Sequence, residues 1–123
     1  MSDDQLFDDS VVAAMADDLD PALIPHLLET FEQEIATRYT TMLGAVQGGH
    51  ADLTRLLDQA HALKAAAATY GATLLEQWCL EVETAARTGN ASKARTLVPE
   101  MKPVVDATRS AVSARQRGYQ MDF

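Results

Sequence analysis

Few side chains in this sequence could do chemistry. They are three histidines, His26, His50 and His61, and one cysteine, Cys79. His50 and His61 are eleven residues apart, ~16 Å along a helix, too far to share one ion, and no Glu-x-x-His pair is present. No metal site is expected. Cys79 lies between Trp78 and Leu80 and reads as a buried small hydrophobe, with no second cysteine for a disulfide. His61 remains. A neutral imidazole is a nucleophile near neutrality, with an unperturbed pKa of ~6.5. Lys64, at i+3, can offset charge on an incoming phosphoryl group. Ala65 and Ala68, at i+4 and i+7, keep that side open, and Leu57, at i−4, sits between the histidine and the core. The set suits a phosphoryl carrier; the same spacing also suits an ordinary solvated helix face. Neither a phosphate-binding G-x-x-x-x-G-K-[ST] loop nor a kinase glycine loop is present, so a phosphoryl donor would be another protein.

The element that carries His61 is a helix from about Ala51 to Tyr70. Leu53, Leu56, Ala60, Leu63, Ala67 and Tyr70 step by three and four along one stripe. At ~100° per residue His61 lies roughly 120° from the centre of that stripe and should face outward. Gly71 suits a left-handed stop and shapes the turn; Thr73 and Glu76 have capping-box spacing for the next helix, ending near Thr88. Upstream, Ser10 can cap a short helix over Val11–Asp18. Asp20-Pro21 can open a helix to about Gln47, which Pro25 would bend or delay. Downstream of Gly89-Asn90, a helix over Ala91–Ser113 must be kinked or interrupted by Pro99 and Pro103. The expected fold is all-α: an antiparallel four-helix bundle with an additional short N-terminal helix. Its expected limits are residues 10–113, after a flexible, solvated acidic lead (1–9) and before a flexible, frayed tail (114–123).

Composition sets the class of partner. The 123 residues fit one domain, and 47% are hydrophobic, enough for one core. The net charge of −8 argues against nucleic acid and anionic membrane, both of which need a basic footprint. No apolar run approaches ~20 residues, and the acidic N-terminus is not a signal peptide; a cytoplasmic location and a monomer are expected.

The segment from Asp58 to Asn90 resembles the histidine-phosphotransfer (HPt) domain family. The features shared are His61, Leu63 and Lys64, then Gly71-Ala72, Leu75, Cys79, Glu83, Ala86, Arg87 and Gly89, with Asp20-Pro21, Leu27 and Phe31 upstream. The resemblance implies a bundle whose exposed histidine is phosphorylated on Nε2 and exchanges the group with receiver-domain aspartates or a hybrid histidine kinase. It makes His61 the acceptor and Lys64 its phosphate support. It implies no cofactor on this chain, Mg²⁺ being supplied by the receiver, and a carrier rather than an enzyme. Ala65 stands where glycine is usual, its methyl narrowing a partner's approach, and Ala66 replaces a small polar residue. A receiver reaching His61 would cover Thr54, Leu57, Asp58, Ala65 and Ala68, with the start of the preceding helix around Ile24 to Leu28. The alternative is an adaptor that docks on a receiver or kinase without being phosphorylated.

Overall fold

The computed structural model describes residues 1–120. Its helices are α1 (Asp3–Leu6), α2 (Asp9–Asp18), α3 (Ile24–Val46), α4 (Leu53–Tyr70), α5 (Thr73–Arg87), α6 (Ala91–Glu100) and α7 (Lys102–Gln120), with a 3-10 turn at Pro21–Leu23 and no strand among the described residues. The bundle is built from α3, α4, α5 and α7. Phe31 stacks on Tyr70, ring centroids 4.5 Å apart, and Arg38 donates to Gln59 at 3.1 Å, so α3 and α4 run antiparallel. The Tyr39 hydroxyl donates to the Val98 carbonyl at 2.8 Å, and Arg109 reaches Glu32 at 2.7 Å, which sets the α6–α7 arm antiparallel to α3. Phe31, Ile35, Met42, Leu56, Leu63, Leu75, Val82 and Met101 fill the interior.

Local chemistry explains the helix ends. Asp20 caps the 3-10 turn by accepting from the Ala22 N–H, and α3 starts only at Ile24. Pro25 therefore falls in a first turn, where its missing N–H costs nothing, and no bend is needed. Asp52 caps α4 through the Arg55 N–H. Gly71 ends α4 with φ +75°, and a Cβ there would meet the Asp8 carbonyl oxygen at 2.5 Å. Gly71 is buried beneath the N-terminal segment, whose Asp8 N–H donates to its carbonyl, so it shapes the turn. Pro99 and Pro103 lack the N–H groups that would bond the carbonyls four residues earlier. The expected single helix is divided at Met101, with Pro99 kept inside α6 and Pro103 in the first turn of α7.

Four expectations need correction. The acidic lead is not a solvated strand of chain: Leu6 and Phe7 are buried, and α1 is held by Arg115. The cap of α2 is Asp8, which accepts from the Ser10 N–H, so that helix begins at Asp9 rather than after Ser10. The proposed Thr73–Glu76 capping box does not form. Thr73 is already the first helical residue, and its hydroxyl faces the Gln5 and Leu6 carbonyls of the N-terminal segment. Finally, α7 runs on to Gln120, because Arg115 on its inner side bonds Asp3 and Asp9; of the expected frayed tail, 121–123 lie outside the described residues. No described helix is long and apolar enough to cross a membrane.

Candidate functional site

The site grows out of the faces of α4 and α5. On α4, Leu56, Ala60, Leu63 and Ala67 are fully buried, and that stripe turns His61 outward with its side chain 67% exposed. On α5 the core face carries Leu75, Cys79, Val82 and Ala86, and among them a carboxylate, Glu83, 2% exposed. A buried carboxylate must be paired or neutralised. Glu83 is paired three times: its Oε2 lies 2.9 Å from His61 Nδ1, while Oε1 accepts from Lys64 Nζ at 3.0 Å and from Arg87 Nη2 at 2.6 Å.

This arrangement fixes the protonation of the histidine. Desolvation pushes the Glu83 carboxyl up, but hydrogen bonds from Lys64, Arg87 and His61, with the Lys64 charge, outweigh it and hold the group down at about 2. Glu83 is thus ionised at neutral pH and can only accept. His61 Nδ1 must then carry the proton, which leaves the lone pair of the neutral ring on Nε2. The ring is oriented by Glu83, and Glu83 by Lys64 and Arg87.

The other sequence-designated residues fall around this centre. Lys64 is half-buried, its side chain 27% exposed, and uses one of its three N–H donors on Glu83. Thr54, Asp58, Ala65 and Ala68 are exposed, and Leu57 is partly buried against the core. Ala66 also packs partly against the core. Of the α3 start, Ile24 and Leu28 are fully buried and are removed from the candidate surface; they are core residues. Cys79 is buried, and that burial, then the Glu83 charge, pushes its thiol up to about 12, in keeping with an inert packing residue.

Glu83 and Arg87 are part of the resemblance, but the sequence alone assigns them no role. A signal was available: Glu83 follows Leu75 and Cys79 at helical spacing, on the apolar stripe of α5, with Arg87 one turn on. A carboxylate on a core face demands cations and hydrogen-bond donors: Lys64 and Arg87 supply the charge, and an exposed histidine on the neighbouring helix supplies a donor.

The family model of the Hpt domain matches residues 26–111, more than half of the chain. The chain belongs to the Hpt domain family. Phosphorelay protein LuxU of Vibrio vulnificus, in strains YJ016 and CMCP6, is 30% identical over 87 residues, 71% of this chain and 74% of LuxU. The crystal structure of histidine-containing phosphotransfer protein B (HptB) from Pseudomonas aeruginosa PAO1 matches with a TM-score of 0.85 and 30% identity, over 96% of this chain and 99% of HptB. Fold and family agree with the all-helical bundle, and the function of this Hpt protein is histidine phosphotransfer in two-component relays, as a carrier rather than a conventional enzyme. Its partners belong to two-component systems.

Proposed function

We propose that His61 is the phosphoryl acceptor and that the chain passes the group between receiver-domain aspartates. One observation carries this reading: Nδ1 of His61 lies 2.9 Å from the buried, ionised Glu83, so that in the neutral ring the lone pair sits on the exposed Nε2. In the forward step the Nε2 lone pair forms a bond to phosphorus. The bond from phosphorus to the aspartyl oxygen breaks, and its electron pair leaves with the receiver carboxylate. The ring keeps its Nδ1 proton, and the resulting phosphoimidazolium is paired with the Glu83 carboxylate. Transfer to a second receiver reverses these steps. Mg²⁺ is supplied by the receiver in this reading, and this chain contributes orientation and charge.

Lys64 has two parts. Through one donor it holds Glu83, and through its remaining donors it supports the phosphoryl oxygens. The receiver's footprint takes in Thr54, Leu57, Asp58, Ala65 and Ala68 around the acceptor. The Ala65 methyl is exposed and small enough to lie under a partner. The protein acts in the cytoplasm, where its partners' receiver domains would meet it.

The test is transfer from a phosphorylated receiver to wild type and to His61→Gln. Acid-labile, base-stable label should appear on wild type and be absent from the variant, which should keep its melting temperature. Label persisting on the variant would move the acceptor to another residue.

A further inference from the structure

We propose a second activity at the same imidazole: His61 takes the acyl group of a small activated ester and yields it to water, with the groove between α4 and α5 seating the acyl chain. The inference rests on the reading of His61 as a nucleophile and changes the electrophile from phosphorus to a carbonyl carbon. An imidazole attacks a carbonyl well when a carboxylate behind it fixes the tautomer. Glu83 stands in that place, its Oε2 2.9 Å from His61 Nδ1, and Lys64 and Arg87 hold it there at 3.0 and 2.6 Å. The oxygen of a tetrahedral intermediate needs a donor. Lys64 gives one N–H to Glu83 and has two more, and the two side chains share that one carboxylate.

The groove selects the acyl group. It encloses about 290 Å³ and is lined by Lys64, Ala65, Ala68, Glu76, Gln77 and Leu80, so Lys64 belongs both to the Glu83 network and to the groove. Ala65 and Ala68 are exposed and end at Cβ, which leaves an open floor, and Leu80, 48% exposed, forms an apolar wall. Ala65 lies one turn beyond His61, ~6 Å along the helix, within reach of a chain of a few carbons whose carbonyl sits at Nε2. Glu76 would repel a chain that ended in a carboxylate, so the acyl group is neutral and apolar. In the first step the Nε2 lone pair forms a bond to the carbonyl carbon. The bond from that carbon to the leaving oxygen breaks, and its electron pair goes with the phenolate. The ring keeps its Nδ1 proton beside Glu83. Water then adds to the acyl carbon, the C–N bond breaks with its electrons returning to Nε2, the carboxylate departs, and both protons of the water pass to solvent.

The experiment follows release of 4-nitrophenolate from 4-nitrophenyl acetate and 4-nitrophenyl butyrate by wild type, His61→Gln, Leu80→Ala and free imidazole. Wild type should react with the acetyl ester about tenfold faster, mole for mole, than free imidazole, and His61→Gln should fall to background. Relative to free imidazole, wild type should prefer the butyryl ester about three- to tenfold, and Leu80→Ala should lose most of that preference. A His61→Gln chain as fast as wild type would assign the reaction to another nucleophile and overturn the proposal. A chain-length ratio equal to that of free imidazole would overturn the groove as the acyl seat. A wild type inert to both esters that still takes a phosphoryl group from a charged receiver would overturn the acyl activity and leave the acceptor reading standing. A wild type inert to esters and receivers alike would overturn both.

Discussion

Two charge networks among the described residues are near mirror images. At the α4–α5 edge one carboxylate, Glu83, is shared by His61, Lys64 and Arg87. At the N-terminal end one guanidinium, Arg115, is shared by Asp3 and Asp9 and lies 4.3 Å from the centre of the Phe7 ring. The difference is in what remains unused. Arg115 donates from Nε, Nη1 and Nη2 to its partners, and although burial works against its charge, its hydrogen bonds to Asp9 and Asp3 outweigh that and hold the guanidinium protonated. Its carboxylates are more than half exposed, and what it achieves is to fasten α1 and the start of α2 to α7. Glu83 is the buried member of its network, and its partners reach outward from it. One of them, His61, is left with a free ring nitrogen in solvent. The first network closes a structure; the second holds a reactive atom open.

Breaking the histidine should give the largest effect. His61→Gln removes the only nucleophile in the Glu83 network, so transfer should fall to background, while an exposed substitution leaves stability within about 0.5 kcal/mol. Urea unfolding beside a labelling assay measures both.

Glu83→Gln should come next. It removes the charge that pins the Nδ1 proton and leaves a buried amide facing Lys64 and Arg87. Transfer should slow about ten- to a hundredfold, as when an orienting partner of a functional histidine is lost. Stability at neutral pH should fall by about 1–3 kcal/mol. The sign of the pH dependence follows from the lowered carboxyl. Glu83 titrates at about 2 in the folded chain against an ordinary value of 4.5. Its contribution is complete above about pH 4.5 and is lost as the pH falls toward about 2, so the gap in urea midpoint between wild type and Glu83→Gln should narrow as the pH is lowered from about 4.5 toward about 2. A constant gap would mean that the charge does not matter to the fold.

Lys64→Ala should slow transfer by about tenfold with a small loss of stability, because Arg87 still holds Glu83. If Lys64 acted only through Glu83, Lys64→Ala would add nothing in a Glu83→Gln background; a further slowing there would mark the direct contact with phosphate.

Arg115→Ala sharpens the contrast from the other side. It should cost about 1–2 kcal/mol, chiefly through lost stacking on Phe7 and the packing of its stem, and should leave the transfer rate unchanged. A slower transfer in this variant would couple the N-terminal segment to the site.

These networks also divide what was legible in the sequence. The bundle could be read because its signals are local: the α4 stripe through Leu56, Ala60, Leu63 and Ala67, the left-handed stop at Gly71 and the turn at Gly89-Asn90 each depend on near neighbours. The outward position of His61 followed from the same periodicity. The clamp was hidden because Arg115 and Asp3 are 112 residues apart, and an acidic N-terminus with one phenylalanine reads as solvated chain until its partner is placed. Glu83 was visible as a residue and not as a role. Its importance depends on burial and on the 22-residue step that brings it to His61, whereas the Lys64 position at i+3 advertised itself. The division at Met101 lay between these cases: two prolines announced an interruption and left its place open between a kink and a break.

The central claim is that Glu83 fixes the proton on Nδ1 and so leaves Nε2 as the accepting atom. Long-range ¹H–¹⁵N correlation spectra of the neutral His61 ring test it without any partner. A protonated, pyrrole-like Nδ1 and an unprotonated, pyridine-like Nε2 are expected in wild type, with the two forms mixed in Glu83→Gln. A wild-type ring carrying its proton mainly on Nε2 would contradict the account.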